Sequence, residues 1–174
     1  MDTDSLALRP VAESDLDLLY RLTSDPGMTG DFEWTGWQDA QHWRRRWERD
    51  GVLGEDGGVL MVARQGEAVG LKSWRKRSIG NSSYYWEMGT VLAPEARGHG
   101  YGPWSHRELV KYLFLHTPVN RIEARTDVDN VASQRALEKA GFTREGVLRG
   151  VGFQGGRWRD GVVYSVVRAD LEAP

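Results

Sequence analysis

Apolar residues recur along the chain with two different periods, and the switches between them mark out strands and helices. Leu6-Ala7-Leu8-Arg9 alternates weakly and stops at Pro10, which predicts a short first strand. From Ser14-Asp15 the period lengthens: Leu16, Leu19, Tyr20 and Leu22 fall at helical spacing until Asp25-Pro26-Gly27 breaks the pattern. Residues 28–37 read as an aromatic-rich loop. Residues 38–50 read as a second helix, with Trp43 and Trp47 four apart on one face, arginines over much of the rest, and Gly51 at its end. Two β-like runs, 59–64 and 68–74, predict a hairpin through the three-residue loop Gln65-Gly66-Glu67, and 84–92 predicts a third long strand.

In the second half, residues 103–115 read as helix, 121–126 as strand and 131–140 as helix closed by Gly141. Strand, helix, strand, helix implies parallel neighbours joined by crossovers, so a mixed sheet is expected with its parallel portion here. Residues 142–153 and 157–167 finish as a hairpin turning at Gln154-Gly155-Gly156.

Composition narrows the classes. A chain of 174 residues fits one domain, which buries roughly 70% of its unfolded surface and so needs no staple. With no cysteine, disulfides, thiolate zinc sites and cysteine nucleophiles are excluded. His42, His106 and His116 have no metal-ligand spacing, so no metal is expected. Lys plus Arg number 23 against 25 acidic residues, too even a balance for a general nucleic-acid or membrane partner. Residues 1–5 carry two aspartates and no apolar run, unlike a secretory signal, and no segment reaches the ~20 apolar residues of a membrane span. Cytoplasmic residence is the default expectation.

The chemistry concentrates at Arg97-Gly98-His99-Gly100-Tyr101-Gly102, which follows a strand and opens a helix at Pro103. Glycines let an anion approach the backbone, and the free N–H groups of a helix start favour phosphate. An ordinary glycine-rich connection reads equally well. The spacing departs from the dinucleotide fingerprint, and no Walker lysine follows.

Arg97-x-x-Gly100-x-Gly102 after a strand resembles the R/Q-x-x-G-x-G/A signature of the GNAT acetyltransferases. Residues 130–142, Asn-Val-Ala-Ser-Gln-Arg-Ala-Leu-Glu-Lys-Ala-Gly-Phe, resemble a second segment of that superfamily, especially the branch that acetylates ribosomal-protein N-termini. The resemblance implies an α/β (α+β) fold: one domain over residues 1–174, with a mostly antiparallel mixed sheet of about seven strands, a splayed parallel pair and about four helices. It implies acetyl-CoA as cofactor, with the pantetheine arm on the backbone of Val91 and Leu92. The pyrophosphate would lie on the N–H groups of Gly98, His99, Gly100, Tyr101 and Gly102, with Arg97 at the entrance. Asn130 and Ser133 would line the arm. Without the resemblance, Asn130 reads as a plain helix N-cap.

Acetyl transfer to an amine requires a neutral amine, a polarised carbonyl and a proton for the departing thiolate. Glu87, among the aromatics of its strand, matches a glutamate of the branch and is the candidate base, its pKa raised by the rings; a solvated strand face is the plainer alternative. Many family members place a tyrosine acid where this chain has Leu137. Ser133 is therefore the candidate donor or thiolate stabiliser, with local helix capping as the alternative. Trp34, Trp158 and Asp160 are the candidate acceptor wall, Asp160 for an ammonium group.

The expected acceptor is a primary amine of a small molecule or a peptide N-terminus. A GNAT-fold transferase drawing on a tRNA or carrier-protein donor is the alternative, motivated by the basic runs 44–46 and 72–77. A non-catalytic acyl-CoA-binding module is a third reading, and a homodimer stays open.

Overall fold

The computed structural model describes residues 5–34 and 36–171. Residues 1–4, read above for a leader, lie outside the described residues. One twisted sheet carries the strands β1 (Leu6–Pro10), β2 (Leu53–Gly54), β3 (Gly57–Arg64), β4 (Glu67–Ile79), β5 (Ser83–Leu92), β6 (Arg121–Asp127), β7 (Thr143–Gln154) and β8 (Arg157–Val167). The helices are α1 (Leu16–Ser24), α2 (Pro26–Thr29), α3 (His42–Asp50), α4 (Tyr101–His116) and α5 (Val131–Lys139), with short 3-10 turns between. None of these helices is long and apolar enough to cross a membrane.

The strand order is β1-β3-β4-β5-β6-β8-β7, with β2 pairing onto β3. Every pairing is antiparallel except β5–β6, where the crossover through α4 makes the strands parallel. The parallel portion is thus a single pair. α5 also crosses over, but β8 inserts between β6 and β7, so those two never meet. The parallel ladder is short: Trp86↔Ile122, Glu87↔Glu123 and Met88↔Ala124, after which the strands part.

Helices cover both faces of the sheet. On one face, Leu109, Val110, Leu113 and Phe114 of α4 and Leu137 of α5 pack on Trp74, Trp86, Met88, Ile122 and Tyr164. On the other, Leu16, Leu19 and Leu22 of α1 and Trp43 of α3 pack on Val59, Met61 and Leu71. Trp43 and Trp47 face the core as their spacing predicts, and their indole N–H groups donate to Thr23 Oγ1 and Val11 O.

Local boundaries differ for identifiable reasons. Pro26 does not end helicity; it starts α2, where a missing N–H costs nothing, and Asp25 caps Gly27 N. The β3–β4 turn has two residues, because Glu67 pairs with Arg64 and only Gln65 and Gly66 take positive φ. α4 begins at Tyr101, two residues before Pro103, and so includes Gly102 in its first turn.

Candidate active site

Where β5 and β6 part, a cleft of about 780 Å³ opens. Thr90, Val91 and Leu92 of β5 form one side, having no strand partner toward β6. Gly98 and Gly100, both at positive φ, turn the chain into α4 at the outer mouth. Asn130 at the start of α5, with Ser133 and Ala136 on it, faces them, and Thr29 of α2 with residues 30–33 roofs the cleft. The α4 N-terminus offers unpaired N–H groups and the positive end of a sixteen-residue helix.

Three cations line this mouth: Arg97, Arg135 and Lys139. Arg97 is committed to the backbone, its Nε donating to Leu92 O at 3.0 Å and its Nη2 to Met28 O. It ties α2 to the end of β5 and occupies the Leu92 carbonyl. Ala93 N bonds Val69 O on β4, so by antiparallel alternation the Val91 backbone also faces β4, against expectation, and the free groups toward the cleft are those of Thr90 and the Leu92 N–H. Arg135 and Lys139, four apart on α5, have no carboxylate partner among the described residues. The residue spacing could have revealed them, since i and i+4 share a helix face.

Asn130 is the N-cap of α5, its Oδ1 accepting from Ser133 N at 3.1 Å, and both residues also line the cleft. The capping and cleft readings therefore coexist. Tyr101 packs its ring among the α1-side core, and the exposed His99 stacks on it at 5.6 Å. Leu137, in the position of the family's tyrosine, is sealed in the α4–α5 core.

Glu87 does not meet the expectation of a raised pKa. Burial pushes its carboxyl up, but hydrogen bonds from Arg77 and Arg75 outweigh burial and hold it below the ordinary range. It lines neither the cleft nor the recess beside it. The carboxylates on the cleft wall are Asp31 and Glu33, and Glu33 also lines that recess. Still solvent-accessible across the opening, it has enough protein around it that desolvation pushes its carboxyl up to about 7, against the pull of Arg97. Nothing in the loop sequence distinguishes Glu33, because its surroundings come from the sheet and α4.

A recess of about 240 Å³ adjoins, sharing Phe32 and Glu33 with the cleft and lined by Arg125, Asp127, Arg159 and Asp160. Arg159 is absorbed by Asp127 and Asp129 and lies 5.3 Å over the Phe32 ring. Asp160 lines the recess as expected, one carboxylate oxygen accepting from Gly150 N at 2.7 Å. Trp34 and Trp158 line neither cavity. The Trp34 indole donates to Ser24 O at 3.1 Å, tying its loop to α1, and Trp158 is 69% exposed against Phe153.

The basic runs are not free cationic faces. Lys72 is buried, Arg75 and Arg77 hold Glu87, Arg44 meets Glu13 and Arg45 meets Asp39.

Residues 5–143 match the family model of a GNAT acetyltransferase domain. An uncharacterised N-acetyltransferase of Bacillus licheniformis is 26% identical over 172 residues, covering 97% of this chain and 96% of its own. An aminoglycoside N(6')-acetyltransferase of Klebsiella pneumoniae is 28% identical over 159 residues, 83% of this chain and 77% of its own. Spermidine N-acetyltransferase of Vibrio cholerae, solved with CoA and spermine, superposes with a TM-score of 0.84 at 19% identity, over 98% of this chain and 99% of that one. A ribosomal-protein-alanine N-acetyltransferase of Brucella melitensis superposes with a TM-score of 0.76 at 26% identity, over 92% and 99%. The splayed parallel pair, the glycine turn at a helix start and a family match over most of the sequence converge: the chain belongs to the GNAT acetyltransferases and is an acetyl-CoA-dependent acyltransferase.

Proposed function

We propose that this enzyme acetylates a primary amine of a small, cationic molecule, and that Glu33 is the group that receives the amine's proton. The observation that carries this reading is the position of Glu33, on the wall common to the cofactor cleft and the adjoining recess. A carboxyl with a pKa of about 7 is half-ionised near neutrality, matched to taking a proton from an ammonium group. Asp160 supports the same reading by adding negative charge to the wall of the recess. Glu87, held ionised by two arginines, is better suited to fixing β4 against β5 than to cycling a proton.

The residues present fit acetyl-CoA, which supplies the activated thioester. The N–H groups from Gly98 to Gly102 and the side chains of Arg135 and Lys139 would hold its phosphates. The free edge of β5 at Thr90 and Leu92 would pair with the amides of its arm, and the Ser133 hydroxyl would donate a hydrogen bond toward its sulfur.

A peptide N-terminus is the second acceptor reading, favoured by the likeness to the ribosomal-protein-alanine acetyltransferase. The deciding experiment is thiol release from acetyl-CoA with spermine, an aminoglycoside and alanine- or serine-initiated peptides side by side. Turnover confined to peptides would overturn the small-molecule reading.

A further inference from the structure

His106 continues the apolar stripe of α4, at helical spacing from Leu109, Val110 and Leu113, where an aliphatic residue would fill the core. Lys72 lies directly across the β4–β5 ladder from Thr90, so both side chains leave the same face of the sheet and meet this stripe. The Lys72 amine is fully buried, donates to Thr90 Oγ1 and lies 2.8 Å from His106 Nδ1. No carboxylate partners either group among the described residues. Burying an amine this way is costly relative to an apolar side chain, so packing alone gives no reason for the pair.

Its location does. Thr90 and His106 both line the cofactor cleft, and Thr90 is the first cleft residue beyond the last β5–β6 pair, at Met88. The phosphate turn lies at the outer mouth, so the inner end is where the thioester must sit to meet an amine from the adjoining recess. With Nδ1 turned to Lys72, Nε2 is the imidazole nitrogen left for the cleft.

We propose that His106, resupplied by Lys72, hands the proton to the CoA sulfur as the thioester opens. The amine nitrogen bonds to the carbonyl carbon and the carbon–sulfur bond breaks. The sulfur takes the proton from Nε2, and Nδ1 takes one from Lys72 Nζ. The pair ends neutral, and regains its proton from the one shed by the new amide nitrogen or from solvent. A serine hydroxyl such as that of Ser133 steers the sulfur with a hydrogen bond but is no net source of protons.

Three effects favour donation. Burial disfavours the charged state of Lys72 and, as its largest effect, that of His106, which the Lys72 charge depresses further. The pair therefore carries at most one excess proton and releases it readily to a thiolate, whose ordinary pKa is ~8.5. The charged groups around it do not hold that proton back: Arg107 on α4, Arg135 and Lys139 from α5 and Arg97 from the turn are cationic. Asp31 and Glu33 lie on the loop that roofs the cleft; Thr90 from β5 and Phe142 beyond α5 do not titrate near neutrality.

The test does not need the acceptor. Acetyl transfer to hydroxylamine is followed against pH in the wild type, Lys72→Met and His106→Leu. Both substitutions replace a buried polar group by an apolar one of similar size, and Lys72→Met should melt no lower than the wild type. With acetyl-CoA the wild-type rate should fall on the alkaline side as the pair loses its proton, and each variant should lack that limb. CoA affinity should stay within about twofold. The same alkaline limb in all three proteins overturns the proposal. At neutral pH the rate with acetyl-CoA should fall on the order of 10²-fold in Lys72→Met. It should fall much less with an aryl thioester, whose leaving group needs no proton; equal losses with both donors would also overturn it.

Discussion

Glu87 on β5 and Glu123 on β6 stand in register across the parallel pair, two carboxylates side by side, 9% and 5% exposed. Like charges at adjacent positions repel, and each is neutralised by its own pair of arginines. Arg77 Nε reaches Glu87 at 2.7 Å with Arg75 beside it, while Arg121 and Arg125 reach Glu123 at 2.9 and 2.7 Å. Glu87→Gln should therefore act on the fold: it leaves two arginines without their carboxylate and should cost about 1–3 kcal/mol. Denaturant melts would read that loss. The pH profile of kcat/KM should keep its shape, and disappearance of its acid limb in this variant would return the base role to Glu87.

Glu33 should behave in the opposite way. Its ionised form accepts the proton, so wild-type kcat/KM should rise through about pH 7. Glu33→Gln should remove that limb and lower kcat/KM on the order of 10² at neutral pH. Alkaline solution should restore part of the loss as it supplies neutral amine, near ~8 for an α-amine and ~10 for a lysine-like one. A Gln variant with an unaltered limb would exclude this assignment.

Two glycines of the turn separate folding from ligand binding. Gly100 has φ +79°, where valine is strained by roughly 1–3 kcal/mol, so Gly100→Val should lower both stability and CoA affinity. Gly102 is in the first turn of α4, and an added Cβ there meets Ala136 Cβ at 3.7 Å, an ordinary contact. Gly102→Val should leave the melting temperature nearly unchanged while weakening CoA binding in calorimetry. Undiminished affinity would remove the phosphates from this turn.

Glu145 should set part of the acid sensitivity. Hydrogen bonds from Arg121 and Ser165 hold its carboxyl at about 2, against a usual 4.5. A carboxylate lowered on folding stabilises the protein above its unfolded pKa, and that contribution is lost as pH falls from about 4.5 through about 2. Glu145→Gln should be less stable than the wild type at neutral pH, with the gap closing on acidification. Because Glu145 is 40% exposed on its side chain, salt should narrow the gap too. Thermal melts across pH at two ionic strengths measure both trends.

Strands and helices were legible because period and punctuation coincide in this sequence. The Trp43–Trp47 face, the Gly51 stop and the crossover after residue 92 all follow from spacing. The glycine turn was legible because it combines a rare composition with a position between strand and helix. What spacing cannot convey is the partner of a charged side chain. Glu87 reads the same whether arginines face it or not, and those arginines come from the neighbouring strand β4. Arg97 reads as a phosphate ligand until α2 brings the Met28 carbonyl to it. Lys72 and His106, 34 positions apart, read as a basic run and a stray histidine until the sheet and α4 bury them together.

The parallel ladder has three residue pairs, and through it β1, β3, β4 and β5 are joined to β6, β8 and β7. Seen mechanically, the sheet is two antiparallel plates meeting at a short seam, with α4 strapped across it. A molecule lodged where the seam opens supplies hydrogen bonds that neither plate provides the other, and so acts as mortar. The backbone amides of Thr90 and Leu92, which face away from β4, should then exchange with deuterated solvent faster than those of β4 until CoA is added. Because the mortar leaves with each turnover, the protein should be at its loosest between catalytic cycles.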